Sequence, residues 1–163
     1  METIGTRVGE GIVQSDWIDI NQHMNVAYYV LAFDLAIDDL WATFGISEDY
    51  IEKTRSSTFG VECHVSYLQE LHQDDKYIVT QQILAYDEKR IHHFQRLYHA
   101  EKHFLSATAE WMNLHVDLDV RRVTPWPSEI LERIGEFCDA QTGQIKPAEV
   151  GRQMMIRRPI YQL

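Results

Sequence analysis

From Asn25 onward the apolar side chains Val26, Tyr29, Val30, Phe33, Ile37, Leu40, Trp41 and Phe44 recur at helical spacing, while Asp34, Asp38 and Asp39 fall largely off that stripe. A helix of this length with one apolar face must be covered by another layer, and the rest of the chain supplies strands to cover it. Asn25 is placed to cap the helix, more naturally than Asn21, because its side-chain oxygen can accept from a free first-turn amide. Gly45 supplies the stop.

The segments around that helix read as strands. Arg7 to Gln14 is short and rich in Gly and β-branched residues, which predicts a first strand. Ile46 to Ser57 is a polar connection with a short helical turn around Ser47 to Lys53. Thr58 to Tyr67 alternates, and simple alternation puts Phe59, Val61, Cys63, Val65 and Tyr67 on one buried face. A polar turn at Leu71 to Lys76 leads to strands at Tyr77 to Tyr86 and Ile91 to His99, joined by the charged turn Asp87 to Arg90. Phe104 to Val116 carries apolar residues on both faces and so belongs inside the sheet. Its Ala107 and Ala109 leave room for the long helix. Thr124-Pro125-Trp126-Pro127 breaks the chain, and Ser128 is expected to cap a second helix containing Ile130, Leu131, Ile134 and Phe137. The order is strand, long helix, antiparallel strands, short helix, an α+β layout with one helix covering one sheet face. We expect one domain over residues 1–138 and a polar tail over 139–163, in which Met154-Met155-Ile156 beside Arg157 and Arg158 docks on the body or on a partner chain, or frays.

Composition narrows the function classes. With 163 residues, one core is expected, and no apolar run is long enough to span a bilayer. The start lacks the basic and then apolar build of a secretory signal, so a cytoplasmic location is expected. Cys63 and Cys138 have no metal-site spacing and read as buried small hydrophobes. A net charge of -10 argues against nucleic-acid partners, while leaving Arg121, Arg122, Arg152, Arg157 and Arg158 as local cations for one phosphate-bearing small molecule.

The chemistry concentrates between first strand and helix, in Ser15-Asp16-Trp17-Ile18-Asp19-Ile20-Asn21-Gln22-His23-Met24-Asn25-Val26-Ala27-Tyr28-Tyr29. Carboxylate, amide and imidazole groups crowded between two apolar elements are costly to bury idle. Each alone is an ordinary turn former, and Asn25 can serve both as cap and as substrate contact. Tyr29 lies on the core stripe. Tyr28, on another face, is the better candidate for lining a ligand pocket.

This order, with Asp19, His23, Asn25 and Tyr29 in that spacing, resembles the hotdog-fold acyl-CoA thioesterases of the 4-hydroxybenzoyl-CoA thioesterase type, over roughly Arg7 to Val116. Trp17 stands where many members carry Asp, and Gln22 where many carry Gly. Asn21, the His-Met-Asn run, the paired tyrosines and Asp117 to Arg122 ahead of two prolines are also similar to thioesterases associated with carnitine and betaine metabolism. The resemblance implies hydrolysis of an acyl-CoA to a free acid and coenzyme A, by a homodimer or dimer of dimers with sites at the subunit interface. No cofactor is implied, coenzyme A being part of the substrate. Asp19 would attack the thioester or activate water, and amides around Asn25 and Val26 at the helix start would stabilise the oxyanion. His23 would donate to Asp19, to the substrate carbonyl or to the loop backbone. Trp17, Val26, Tyr28 and Tyr29 would contact substrate, and Trp17 with Tyr28 could cage a quaternary ammonium.

Two rivals stand beside this reading: an acyl-thioester hydratase or dehydratase using His23 with Asp34 or Asp38, and a module that binds acyl thioesters without cleaving them. No metal centre is expected. His92 and His93 point to opposite faces of a strand, and His92, His93, His99 and His103 read as a solvated hairpin. Glu62, His64 and Glu70 read as a polar outer sheet face.

Overall fold

The computed structural model describes residues 4–155 and residue 160. In chain order the elements are β1 (Thr6–Ile12), α1 (Val26–Phe44), α2 (Glu48–Thr54), β2 (Ser56–Tyr67), β3 (Lys76–Tyr86), β4 (Arg90–His99), β5 (Leu105–Asp117), β6 (Arg122–Val123) and α3 (Ser128–Ala140), with a single 3-10 turn at Ser15–Trp17. The sheet is antiparallel in the order β1-β3-β4-β5-β2, with the short β6 paired to β5. Register shifts, with the extra residue in β1, β2, β3 and β5, bend the strands, so that the sheet curls around α1. This is the α+β hotdog arrangement, and β5 lies inside the sheet as its composition requires.

The apolar stripe of α1 is the core. Tyr29, Ala32, Phe33, Ala36, Ile37, Leu40, Trp41 and Phe44 are buried, and each fully buried phenyl ring contributes about 2 kcal/mol of hydrophobic stabilisation. They pack on Val79, Leu97, Ala107 and Ala109 toward the start of the helix, and on Ile83, Ile91, Ile130 and Ile134 toward its end. Closest approach is between α1 and β1, where a methyl group on Gly9 would sit 2.7 Å from the Ala36 Cβ. Val26 departs from the stripe, being 52% exposed, and Leu71, in the predicted polar turn, is fully buried.

Four other expectations are corrected. Val61 is an extra residue between Gly60 and Glu62, so Phe59 pairs across to Leu114 while Cys63 pairs to Trp111. Phe59 and Cys63 therefore face opposite sides of the sheet, and alternation fails at the bulge. Because β2 is an edge strand, Cys63 is exposed rather than buried; Cys138 is half-buried. Ser128 is the first helical residue of α3, not its cap; Pro127 precedes it and no side chain caps the end. The histidine hairpin is only partly solvated: His103 is exposed and His92 half-buried. His93 is fully buried with Nε2 3.0 Å from Asn113 Oδ1, and His99 is buried with Nε2 3.2 Å from Asp75 Oδ1.

The chain after α3 lies on its own sheet. Gln141 is buried, its side chain accepting from the Ile83 N–H and donating to Gln81 O and Thr6 Oγ1. Farther on, the Gly151 N–H donates to Glu110. Met154 and Met155 are exposed, whereas Ile156, Arg157 and Arg158 fall outside the described residues. Among the described residues no helix is long and apolar enough to cross a membrane.

Candidate active site

The loop from Trp17 to Asn25 folds back on itself as a narrow turn clamped by an antiparallel bridge between Ile18 and Met24. The Asp19 N–H donates to His23 O and the Gln22 N–H to Asp19 O, closing a tight turn over Asp19, Ile20, Asn21 and Gln22. Gln22 sits at φ 66°, a left-handed conformation that costs an ordinary side chain and favours Gly. That is the position at which Gly is common in the family the loop resembles.

The turn fixes Asp19. Its carboxylate accepts from the Asn21 N–H at 2.8 Å through one oxygen and from Asn25 Nδ2 at 3.3 Å through the other. With its side chain 21% exposed, the acid is held yet reachable. Asn25 has a second attachment: its Oδ1 accepts from the Ala27 N–H at 3.0 Å and caps α1. One amide thus ties the acid to the start of the helix.

Of the two helix-start amides that the sequence suggested, one is already spent. The Asn25 N–H is spent on Trp17 O at 2.9 Å, and the Tyr28 N–H on Asn25 O. The Val26 N–H has no acceptor among the described residues. It carries the partial positive charge of the helix end, one residue beyond the amide that holds Asp19.

His23 lies with Nδ1 3.3 Å from Met24 O and 3.9 Å from Asp19 Oδ1. The shorter approach, to the loop carbonyl, is the one within hydrogen-bond range. Tyr29 is 3% exposed, and this burial pushes its pKa up even though its hydroxyl accepts from the Leu71 N–H. Tyr28 is half-buried with its ring stacked on Trp17, centroids 5.4 Å apart, and Tyr77 packs 6.3 Å from the same indole. Asp34 and Asp38 are exposed on α1, and Asp34 is eight residues beyond Val26, about 12 Å along the axis. The His23 and aspartate pairing of the hydratase rival is therefore not assembled within one chain.

Two braces were not visible in the sequence. The Met24 N–H donates to Leu71 O, and the Tyr67 hydroxyl, at the end of β2, donates to Val26 O. Both are long-range contacts with no local signature. Arg121, Arg122 and Arg152 are exposed, and the Arg121 guanidinium lies over the Phe59 ring at 6.0 Å. No group of three or more His, Cys, Asp or Glu side chains with metal-binding geometry occurs among the described residues.

Comparison with known proteins identifies the family. The model of a family described as the thioesterase-like superfamily matches residues 13–134. A betainyl-CoA thioesterase of Pseudomonas aeruginosa is 34% identical over 140 residues, covering 86% of this chain and 88% of that protein. An L-carnitine dehydrogenase/betainyl-CoA thioesterase of Rhizobium meliloti is 32% identical over 146 residues, covering 90% of this chain and 29% of that longer protein. Among solved structures, a Staphylococcus aureus protein in complex with CoA superposes with a TM-score of 0.87 at 29% identity, covering 96% of this chain and 99% of that one.

Proposed function

This chain belongs to the thioesterase-like superfamily and is an acyl-CoA thioesterase, and from that premise we propose that it cleaves betainyl-CoA at the Asp19 loop. The observation that carries the reading is the link from Asp19 through the Asn25 amide to the start of α1, where the Val26 N–H is free. A thioester carbonyl oxygen laid on that N–H meets a donor already oriented toward developing negative charge. Asp19 then brings oxygen to the carbonyl carbon. It either attacks directly, giving a mixed anhydride that water opens, or takes a proton from a water that attacks. In both routes the carbon–sulfur bond breaks, the thiolate of coenzyme A leaves and is protonated, and betaine is the acid released.

In this reading His23 supports the loop through Met24 O, Asn25 positions Asp19, and Trp17, Val26 and Tyr28 border the thioester, with Tyr29 a post beneath them. No cofactor is required. The acyl group is assigned from the Pseudomonas aeruginosa and Rhizobium meliloti relatives. The working form is a homodimer or dimer of dimers. Supporting it are the unpaired edge of β2 with exposed Val61 and Tyr67, and exposed Leu31 and Leu35 on α1. In this reading the reaction runs in the cytoplasm.

A panel of acyl-CoA esters with thiol detection tests the proposal. It predicts stoichiometric thiol release, fastest with betainyl-CoA. A saturable binding isotherm with no thiol release over hours returns the binding-module reading, and a change in enoyl absorbance without thiol returns the hydratase.

A further inference from the structure

The peptide that joins Val26 to Ala27 is held at both ends. Its N–H, on Ala27, donates to Asn25 Oδ1 at 3.0 Å, and its carbonyl, on Val26, accepts from the Tyr67 hydroxyl at 3.3 Å. Asn25 carries the connection onward, because Nδ2 of the same side-chain amide donates to Asp19 Oδ2 at 3.3 Å. Phenol, peptide, side-chain amide and carboxylate therefore stand in one line of hydrogen bonds, and every bond points from Tyr67 toward Asp19. A first-turn carbonyl has two lone pairs, so the Tyr67 bond adds to the one that the helix makes.

Direction gives such a line its effect. A donor on an amide carbonyl draws charge onto the oxygen and leaves the N–H of the same amide a stronger donor, and two planar amides here hand that polarisation on in sequence. The line ends on a carboxylate whose other hydrogen-bond donor among the described residues is the Asn21 N–H. The titratable groups facing its two ends are His23, with Nδ1 3.9 Å from Asp19 Oδ1, and Cys63 and Tyr29 beside Tyr67.

Packing holds the Tyr67 ring independently of its hydroxyl. Tyr67 closes β2 and pairs with Ala107 of β5, whose small side chain leaves room for the ring to lean edge-on against Tyr29, centroids 5.4 Å apart. Desolvation first, and then Cys63 and Tyr29, push its pKa up, so the hydroxyl keeps the proton that it donates. Removing the oxygen alone therefore separates the hydrogen bond from the packing.

We propose that Tyr67 is a positioning residue for Asp19, orienting and polarising its carboxylate through the Val26–Ala27 peptide and the Asn25 side chain. The inference rests on the reading of Asp19 as the reacting acid and adds to it a sheet residue that lies outside the loop. Two measurements test it. In proton–nitrogen spectra of the native chain and Tyr67→Phe, the Ala27 amide proton and the Asn25 side-chain amide protons move upfield in the variant, as weakened donors do. An Asn25 side-chain amide that stays in place overturns the inference. In thiol release from the fastest ester of the panel, Tyr67→Phe lowers kcat about threefold and leaves KM within about twofold of native. It also moves the acidic limb of the rate profile up by about 0.3 pH unit, since a bond that holds Asp19 loses roughly 10–30% of its strength. Asn25→Ala cuts the line, so adding Tyr67→Phe to that variant alters neither kcat nor the limb. Equal effects of Tyr67→Phe in both backgrounds are the mark of a merely structural tyrosine and overturn the inference. An Asn25 amide that moves while the acidic limb does not leaves the polarised line standing and contradicts Asp19 as the reacting acid, so the two readings fail separately.

Discussion

The two ends of α1 are built on opposite principles. At its start nearly every polar group is answered: Asp19 by Asn21 and Asn25, Asn25 by Ala27, the Asn25 N–H by Trp17 and the Met24 N–H by Leu71, leaving the Val26 N–H free. At its far half four carboxylates face a crevice without a cation among the described residues. A charge that must act on a transition state is held rigidly by donors, because fixed dipoles need no reorganisation when charge develops. Exposed carboxylates are instead answered by water. In the proposed reading the chemistry belongs to the end whose polar groups are answered.

Each half of that contrast can be broken. The largest effect is expected for Asp19→Ala, which lowers kcat by about a thousandfold or more, as removal of an acid, base or nucleophile does; thermal unfolding within a few degrees of wild type excludes misfolding. Next comes Asn25→Ala. It removes the cap and one of the two donors to Asp19, costing about 1 kcal/mol in denaturant unfolding and lowering kcat on the order of tenfold or more. Asn25→Asp separates these roles: the cap and its stability are retained while a second carboxylate beside Asp19 moves the acidic limb of the rate profile to higher pH.

An effect on stability alone comes from His93. Burial holds His93 neutral, with its pKa lowered from 6.5 to about 4. The unfolded chain binds a proton there that the folded chain refuses, so stability is complete above the unfolded value and declines as pH falls from about 6.5 toward 4. The slope approaches about 1.4 kcal/mol per pH unit from this one group. His93→Gln flattens that dependence in chemical unfolding measured between those limits. Smallest is Gln22→Gly, which relieves the left-handed residue of the Asp19 turn and raises stability by about 1 kcal/mol or less with kcat unaltered.

What the sequence disclosed was what is local. Helical spacing located α1 and its Asn25 and Gly45 ends, and the crowding of Asp19, His23 and Asn25 marked the loop, because period and composition are written in consecutive residues. The Val61 bulge defeated alternation, since one inserted residue turns Phe59 to the other face while leaving the apolar pattern unchanged. His93 and His99 read as solvated because their partners Asn113 and Asp75 are distant in the chain. The same limit hid Tyr67 and Leu71 behind the loop. Which helix-start amide is free depended on Trp17 O taking the Asn25 N–H, a contact across the turn that spacing does not reveal.

The most direct test is a rapid-quench single turnover of betainyl-CoA, with enzyme in excess, comparing the native protein with Asp19→Asn. Thioester cleavage slowed at least about a thousandfold, with substrate still bound, is the result predicted for an acid that supplies or activates the attacking oxygen. Cleavage at near-native rate would contradict the assignment of the chemistry to the Asp19 end of the helix.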